Sequence, residues 1–405
     1  MIFFINFGGI ILETTQQNSG IKLLMVIGTA WLFDAADVAL LSFIMPLIKG
    51  EWRLTDGQVG LVSSITTVGM MIGAVLFGYL ADRFGKKNII IVTLLIFSIS
   101  NLALAFTQDV SQFLLVRFVT GIGLGGELPV ATTIIADAFT GHKRSRMLIL
   151  VDSFWAIGWI FASLLAFLFM PHFGWRPTVI VTSLMAVYTL VIRRHLPDET
   201  NVKNEKLNVK YAFTQIWSKE FWRTTLCLSI MWFVIMFVYY GLFLWLPSVL
   251  IKRGFSVVHS FGYTLLMSFA QLPGYFLAAY LMGKISRKTV MAIYLVGTMI
   301  GAFLFGTAQT TWLVIASAAM LSFFTLGAWG IMIALTPTQY PMELRGMGIG
   351  FTQSIGRIGA TIGPYLIGMS LGLGISITTI FFYFIVALVI GLIVLAFGLV
   401  DKDQV

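Results

Sequence analysis

The sequence predicts an all-α membrane protein with twelve membrane-spanning helices. Of its 405 residues, 58% are hydrophobic and only 11% are charged, whereas soluble proteins carry about 25% charged residues. The apolar runs are about 20 residues long, which is the length that a helix needs to cross a bilayer. Strands of a membrane β-barrel would be about half as long and would alternate in polarity, so the helical class is favoured.

Twelve apolar runs are expected to span the membrane as two sets of six. The runs lie at 23–48, 58–81, 88–107, 112–138, 147–170, 175–193, 223–250, 257–283, 289–308, 312–337, 347–371 and 376–400. The longest polar interval, 194–222, is predicted to link a first bundle, 23–193, to a second bundle, 223–400. The terminal segments 1–22 and 401–405 are predicted to be tails. The apolar start of the first tail is too short to cross a bilayer, so it is expected to be disordered or to lie at the membrane surface.

The distribution of Lys and Arg predicts which side of the membrane each loop faces. If the N-terminus lies inside, 19 of the 26 basic residues fall on the cytoplasmic side, five fall in external loops and two lie within spans. Basic residues accumulate in the cytoplasmic loops of membrane proteins, so both termini and the 194–222 interval are expected to be cytoplasmic. The net charge of +9 therefore reflects orientation in a lipid bilayer, and no nucleic-acid partner is expected.

Composition argues against a disulfide framework, a metal site and an enzyme active site. The chain has a single cysteine, Cys227, which excludes an internal disulfide and a cysteine-built metal site. Its four histidines lack the spacing of metal ligands, and the apolar runs contain no Ser–His–Asp set. We therefore expect no metal, no cofactor and no catalytic residues.

A glycine- and charge-rich motif follows the second predicted span and recurs at the equivalent position of the second half. The pattern Gly78-x-x-x-Asp82-Arg83-x-Gly85-Lys86-Lys87 has its counterpart in Gly283-Lys284-Ile-Ser286-Arg287-Lys288. Internal symmetry of this kind is typical of transporters built from repeats. The first glycine permits close helix packing, the second permits a tight turn, and the charges allow a clasp at the cytoplasmic side. We predict gating roles for Gly78, Asp82, Arg83, Gly85, Lys86 and Lys87.

These features resemble the major facilitator superfamily of transporters. Two further matches are similar to its sugar-porter and organic-ion branch: Arg117-x-x-x-Gly121-x-Gly123-x-Gly125-Gly126-Glu127-x-Pro129 and Pro337-x-Gln339-Tyr340-Pro341-x-x-x-Arg345-Gly346. Within that branch the chain looks most like bacterial nicotinate permeases, and the similar stretches are 31–38, 125–131, 153–159, 239–248, 271–275 and 356–359. The resemblance implies the major facilitator fold, in which two six-helix bundles import nicotinate or a similar small aromatic carboxylate by alternating access across a bacterial plasma membrane.

Among the charged residues inside predicted spans, five are candidate functional residues: Asp34, Asp37, Arg117, Glu127 and Arg357. An ionisable group in hydrocarbon costs roughly 2.5–3.5 kcal/mol or more, so such groups are normally paired or functional. At ~1.5 Å per residue, Asp34 and Arg357 each lie ~15–17 Å from the cytoplasmic end of their spans, which is near the midplane. They belong to opposite halves, and substrate sites in this architecture lie at the midplane between the halves.

The predicted substrate-binding residues centre on Arg357. No acid occurs in the middle of the last six spans, so this arginine is expected to bind an anion from outside the protein. Trp155 and Tyr239 would provide flat walls for an aromatic acid, Gln271 a hydrogen bond and Asp34 a second charge. Structural roles stay open for each of them, because aromatic residues also line membrane interfaces and arginines also form structural pairs.

The other charged residues are assigned to proton coupling or to the gate. Asp34 and Asp37 share one helix face, and if they lie close together one of them would carry a proton at neutral pH. Arg117 is predicted to pair with Asp37 or Asp34, either as a structural ion pair or as part of proton coupling. Glu127 lies roughly level with Asp152, and both are predicted to belong to a cytoplasmic gate. The gate would also include Arg144, Arg146 and Arg345.

Two other functions stay open at this point. A facilitator or exporter of organic cations or other small metabolites would use Asp34 and Asp37 as its cation site. A transporter-like sensor would need a soluble output segment, and the 194–222 interval is the segment available for one. As partners we expect a small organic anion, protons and membrane lipids, and we expect the protein to be a monomer.

Overall fold

The structure is a computed structural model that describes residues 3–138, 141–184 and 209–398, and the regular structure of these ranges is helical throughout. The helices are α1 (Phe3–Glu51), α2 (Asp56–Phe84), α3 (Lys86–Leu104), α4 (Val110–Ala138), α5 (Gly141–Phe173), α6 (Trp175–Ser183), α7 (Val209–Ile216), α8 (Trp222–Lys252), α9 (Val257–Phe269), α10 (Gln271–Met282), α11 (Arg287–Thr307), α12 (Thr311–Leu335), α13 (Met342–Gly372) and α14 (Ile377–Gly398). A short 3-10 helix, Thr336–Gln339, continues α12.

Helices occupy the positions of all twelve predicted spans. Within the described ranges, nine stretches are long and apolar enough to cross a membrane by length and composition. The fourth and eleventh predicted spans correspond to α4 and α13, which have 29 and 31 residues. Both helices are therefore roughly 45 Å long, more than the ~30 Å of the hydrocarbon layer. The sixth span begins at Trp175, and its second half lies outside the described residues.

The eighth predicted span is broken at Ala270 into α9 and α10. Pro273 has no N–H to donate to the carbonyl of Phe269, and its ring would crowd that carbonyl. The sequence predicts one continuous helix at 257–283. The break matters because it leaves Gln271 as the first residue of a new helix in the middle of the span.

The segments outside the predicted bundles contain helices where they are described. The first helix begins at Phe3, so the tail predicted at 1–22 is helical from that residue onward. The predicted linker contains α7, and just after it Trp217 packs on Phe351 of α13 with their ring centroids 5.5 Å apart. Residues 185–208 of the linker region and the tail 401–405 lie outside the described residues.

Glycines bring α2 and α4 into backbone contact. A Cβ added at Gly73 of α2 would lie 2.0 Å from the carbonyl oxygen of Ile122, and one added at Gly121 of α4 would lie 2.1 Å from a carbonyl oxygen of α2. Gly69 and Gly125 are just as closely packed, four residues from the first two. Small residues at this spacing let membrane helices approach closely. The depth and rotation of α4, which carries Arg117 and Glu127, are therefore fixed by backbone contact.

The most extensive contacts between the two halves are those of α2 with α13, α5 with α9, and α1 with α8, and α5 also contacts α10 and α12. The Ser64 hydroxyl donates to the carbonyl oxygen of Thr361 at 2.7 Å, and the hydroxyls of Ser163 and Ser268 lie 3.2 Å apart. These hydrogen bonds tie α2 to α13 and α5 to α9.

An ion-pair cluster joins the halves where α1 ends and α2 begins. Asp56 accepts hydrogen bonds from Lys49 of the first half at 2.6 Å and from Lys252 of the second half at 3.0 Å. Under the predicted orientation this cluster lies on the external side of the membrane. We call Lys49, Asp56 and Lys252 the external latch.

Replacing Asp56 by Asn is expected to loosen the external latch, because both lysines lose their carboxylate partner. The lysine side chains are 33% exposed, so each pair contributes at most about 1 kcal/mol, which is roughly a fivefold change in an opening equilibrium. Ser248 lies one turn before Lys252 and is 8% exposed. In a Cys227→Ser background, a Ser248→Cys probe should react a few-fold faster with a membrane-impermeant thiol reagent when Asp56→Asn is present.

Two controls belong to this labelling experiment. Arg53→Gln removes a charge from the same loop outside the external latch, and it should leave the labelling rate unchanged. High salt should speed labelling of the wild-type latch but not of Asp56→Asn, since screening weakens exposed ion pairs. Equal labelling rates for wild type and Asp56→Asn at low salt would show that the latch does not hold the halves together.

Candidate functional site

A buried ion pair links α1 to α4. Arg117 Nη1 donates to Asp37 Oδ2 at 2.8 Å, and both side chains are fully buried. The Arg117 guanidinium also lies 5.9 Å from the ring centroid of Phe113. The predicted pairing of Arg117 with one of the two span-one acids is therefore confirmed, with Asp37 as its partner. Its role in proton coupling stays a prediction.

Asp34 and Glu127 form a second buried group of the same two helices, and each is 1% exposed. Their carboxyl groups lie within hydrogen-bonding reach of each other. Two carboxylates have no hydrogen to share, and within the described ranges no other donor reaches their oxygens. One proton held between them would supply the missing hydrogen.

The position of Glu127 differs from the sequence-based grouping, which places it beside Asp152. The structure sets it against Asp34, whereas the groups that interact with Asp152 are Tyr275, Trp31 and Trp329. Depth along a helix gives the level of a side chain but not the neighbour that it faces, and the packing of α4 on α1 decides the latter. The gating role of Glu127 stays a prediction.

Arg357 of α13 approaches the acids from the second half. Its Nη1 atom donates to the Tyr240 hydroxyl at 3.1 Å and lies 3.6 Å from the sulfur of Met70 on α2. Its charge acts on Asp34, but in the described part of the chain it forms no ion pair. The side chain is only 7% exposed. A guanidinium has five N–H donors, so Arg357 keeps donors for an anion.

Aromatic rings from both halves surround this centre. The Trp155 indole N–H donates to the Tyr239 hydroxyl at 2.5 Å. Trp31 lies on the other side of Trp155, with ring centroids 4.8 Å apart. Trp329 of α12 lies nearly parallel to Trp155, with centroids 6.3 Å apart and an angle of 12° between the planes. Trp155 and Tyr239 are thus brought together, and their rings offer flat apolar walls.

Trp329 is a member of this cluster that the sequence did not predict. It contacts Trp155, Tyr239, Tyr240 and Trp232 by ring-to-ring approaches of 5.3 to 6.4 Å. Inside an apolar span, the pattern of hydrophobic residues does not show whether a tryptophan lines a binding site or only packs against its neighbours. The available hint was its position among small residues, in Gly-Ala-Trp-Gly at 327–330.

Asp152 of α5 bridges the halves by accepting a hydrogen bond from the Tyr275 hydroxyl of α10. The carboxyl group is 2% exposed, and the indole groups of Trp31 and Trp329 also lie close to it. Its second oxygen has no hydrogen-bond partner among the described residues. Asp152 is thus a contact between halves, and its proposed part in gating stays a prediction.

Gln271 lies at the break between α9 and α10 and is fully buried. Neither its amide nitrogen nor its amide oxygen has a hydrogen-bond partner within the described ranges. The helix that begins with this residue packs against α12 and α5, and the latter carries the Trp155 ring.

The structure describes the predicted gate in part. The tight turn predicted at Gly85 is present, because this residue alone separates α2 from α3 and adopts a φ of 88°. The Arg83 guanidinium lies 5.5 Å from the Phe84 ring. Arg345 is half-buried on α13, and Lys87 interacts with other residues. At Gly78, Asp82, Lys86, Arg144 and Arg146 the structure describes only the helical backbone.

Comparison with known proteins gives one family. The family model described as Major Facilitator Superfamily matches residues 27–272 and 259–404. The Bacillus subtilis (strain 168) protein called "Putative niacin/nicotinamide transporter NiaP" is 46% identical over 381 residues, which are 93% of this chain and 95% of that protein. The "Niacin transporter NiaP" of Acinetobacter baylyi (strain ATCC 33305 / BD413 / ADP1) is 39% identical, covering 85% of this chain and 86% of that protein. The predicted resemblance to nicotinate permeases is confirmed.

Solved structures share the architecture. The crystal structure of the D-xylose-proton symporter superposes with a TM-score of 0.79 at 17% identity, covering 95% of this chain and 99% of that one. At this identity the likeness shows the fold alone. It confirms the predicted all-α membrane fold, with twelve helices in two six-helix bundles.

Arg117→Gln is expected to destabilise the protein by roughly 3–5 kcal/mol, because it leaves Asp37 buried without its partner. The double variant Arg117→Gln/Asp37→Asn removes both charges and should recover part of that loss. The measurement is the midpoint temperature of unfolding in detergent micelles for each single variant and for the pair. Strictly additive effects of the two substitutions would contradict a coupled ion pair.

Proposed function

The chain belongs to the Major Facilitator Superfamily, and we propose that it imports nicotinate or a similar small aromatic carboxylate across a bacterial plasma membrane in symport with protons. It is a multi-pass membrane transporter of a small molecule and not an enzyme. The names of its two relatives, a niacin/nicotinamide transporter and a niacin transporter, support this choice of substrate. Both termini are proposed to face the cytoplasm.

The observation that carries the proposal is the buried guanidinium of Arg357. It lies in the second half, donates to Tyr240 and forms no ion pair within the described ranges. Removing an arginine from water is unfavourable unless hydrogen bonds and an opposite charge compensate for it. The carboxylate of a small aromatic acid would supply both. A guanidinium binds a carboxylate with two parallel hydrogen bonds, which also orients the ligand.

The aromatic residues beside Arg357 suit the rest of such a ligand. Tyr240 accepts a hydrogen bond from Arg357, and its ring centroid lies 5.3 Å from that of Tyr239. The Tyr239 hydroxyl in turn accepts a hydrogen bond from Trp155. A flat ring whose carboxylate is held by Arg357 would thus meet aromatic walls from α5 and α8. Offset and edge-to-face contacts between aromatic rings are favourable in an apolar site.

Proton coupling is supported by the acid pair next to this site. Asp34 and Glu127 lie close enough to share one proton, and Asp34 also lies within the field of Arg357. A substrate carboxylate would neutralise that arginine. Asp34 would then face the negative charges of Glu127 and Asp37 without the opposing charge of Arg357. Substrate binding would then favour proton binding and the reverse, because coupling between two sites is reciprocal. Such coupling allows a proton gradient to drive uptake of the anion.

Arg357→Ala is expected to reduce uptake of labelled nicotinate by proteoliposomes about 10–100-fold, because hydrogen bonds to a charged partner contribute about 1.5–3 kcal/mol. Arg357→Lys keeps the charge but loses the two-pronged geometry, so its uptake should fall less than that of Arg357→Ala. Arg223→Gln, an exposed arginine at the start of α8, serves as the control and should transport normally. Wild-type uptake rates for Arg357→Ala would refute this substrate site.

Asp34→Asn and Glu127→Gln are expected to abolish uptake driven by an imposed pH gradient, since an amide cannot carry the proton. Exchange of labelled for unlabelled nicotinate across the same vesicles, without a gradient, should persist in at least one of the two variants. The wild-type protein with an uncoupler provides the comparison for both measurements. Full gradient-driven accumulation in both variants would remove this acid pair from the coupling mechanism.

Cation transport is the second candidate function, and the same acid pair favours it. Two buried carboxyl groups with no donor within the described ranges would also accommodate an organic cation. The Arg357→Ala variant separates the candidates, because loss of its positive charge should strengthen cation binding and weaken anion binding. Uptake of an organic cation that survives Arg357→Ala, with no nicotinate uptake by the wild type, would favour the second candidate.

A further inference from the structure

Three buried polar side chains beside the aromatic cluster lack the partners that their neighbours have. Gln271, Ser322 and Thr325 are each 3% exposed or less, and their side-chain polar atoms have no hydrogen-bond partner among the described residues. By contrast, Ser268 of α9 and Ser317 of α12 each donate to the carbonyl oxygen four residues earlier. We call Gln271, Ser322 and Thr325 the polar recess.

Two members of the polar recess, Ser322 and Thr325, lie on the helix that carries Trp329 of the aromatic cluster. On α12, Ser322, Thr325 and Trp329 are spaced by three and four residues, so they share one face of the helix. Trp329 on that face packs against Trp155 and Tyr239. Thr325 and Ser322 are therefore placed one turn and two turns along α12 from Trp329.

Gln271 is the first residue of α10, which packs against α12. Ser268 and Tyr275, which lie three residues before it and four after it, contact Ser163 and Asp152 of α5. Gln271 therefore belongs to the face of this span that meets α5. Gly274 lets α10 approach α12, since a Cβ there would lie 2.2 Å from a carbonyl oxygen of that helix.

We propose that the polar recess binds a ring nitrogen of the substrate, so that the site selects nitrogen heteroaromatic carboxylates over carbocyclic ones. This inference rests on the proposed function, in which Arg357 holds the carboxylate. The polar recess is neutral, and its amide and hydroxyl groups can donate to the lone pair of a pyridine-type nitrogen. A buried donor without a partner is unfavourable, and a ligand nitrogen in this position would remove that penalty.

Selectivity follows from the same physical chemistry. Benzoate has nearly the shape and charge of nicotinate but lacks the ring nitrogen. It would fill the aromatic site and bind Arg357, yet leave the donors of the polar recess unpaired. Sites built to hydrogen-bond a substrate group reject analogues that lack it far more strongly than apolar pockets reject a change in shape. We expect nicotinate to be preferred over benzoate by at least about tenfold.

The test is competition by unlabelled nicotinate and benzoate against uptake of labelled nicotinate into proteoliposomes. Gln271→Leu keeps the side-chain volume without the amide, and it should weaken nicotinate about tenfold while leaving benzoate unchanged or stronger. Thr325→Val is nearly isosteric, so it provides a second variant whose fold is preserved, and it should reduce the preference in the same direction. Gln215→Leu, the same substitution on α7, should keep the wild-type preference.

The outcomes separate this inference from the proposed function. A wild-type preference in both Gln271→Leu and Thr325→Val would overturn the polar recess as a selectivity element. Equal weakening of nicotinate and benzoate in these variants would also overturn it, because that result indicates a structural role. Nicotinate uptake by the wild type with no preference over benzoate would refute the polar recess alone. Uptake of neither acid would refute the proposed function and the inference together.

Discussion

The rest of the structure depends on how charge is confined inside an apolar membrane protein. Four acids, Asp34, Asp37, Glu127 and Asp152, and two arginines, Arg117 and Arg357, are buried within the spans. If all six are ionised, the set carries two net negative charges, and two protons bring it to zero. A substrate carboxylate adds one negative charge, so one further proton carried with each carboxylate leaves the total charge unchanged. Because charge is poorly tolerated where the dielectric constant is low, this arrangement favours coupling of a proton to an anion.

The positions of those charges are set by backbone packing rather than by the charges themselves. Four glycines hold α4 against α2, and α4 carries both Arg117 and Glu127. On the other side of α1, a Cβ added at Gly158 of α5 would lie 2.4 Å from the carbonyl oxygen of Leu32. Close contact there brings the neighbouring Trp155 onto the Trp31 ring. A rigid backbone frame of this kind keeps the ionised groups at fixed separations, which a proton-sharing pair requires.

The sequence predicts those features that depend on local rules. The spans follow from hydropathy, the turn at Gly85 from the freedom of glycine at positive φ, and the pairing of Arg117 from the need to neutralise a buried charge. The contact of Asp34 with Glu127 depends on which face of α4 meets α1, and helix depth does not contain that information. The place of Trp329 was not predicted for a related reason. In an apolar run, the sequence does not distinguish a ring that lines the site between the halves from a ring that packs inside one half.

Contacts between the halves at the level of the site involve the same side chains that would meet a ligand. Trp155 of α5 donates to Tyr239 of α8, and Tyr275 of α10 donates to Asp152 of α5. A planar acid that enters between Trp155 and Tyr239 would replace the hydrogen bond by which these two residues join the halves. A ligand shifts a conformational equilibrium only by the difference in its affinity for the two states. Because the walls of this site come from both halves, that affinity changes when the halves move, and substrate binding and movement are linked within the site itself.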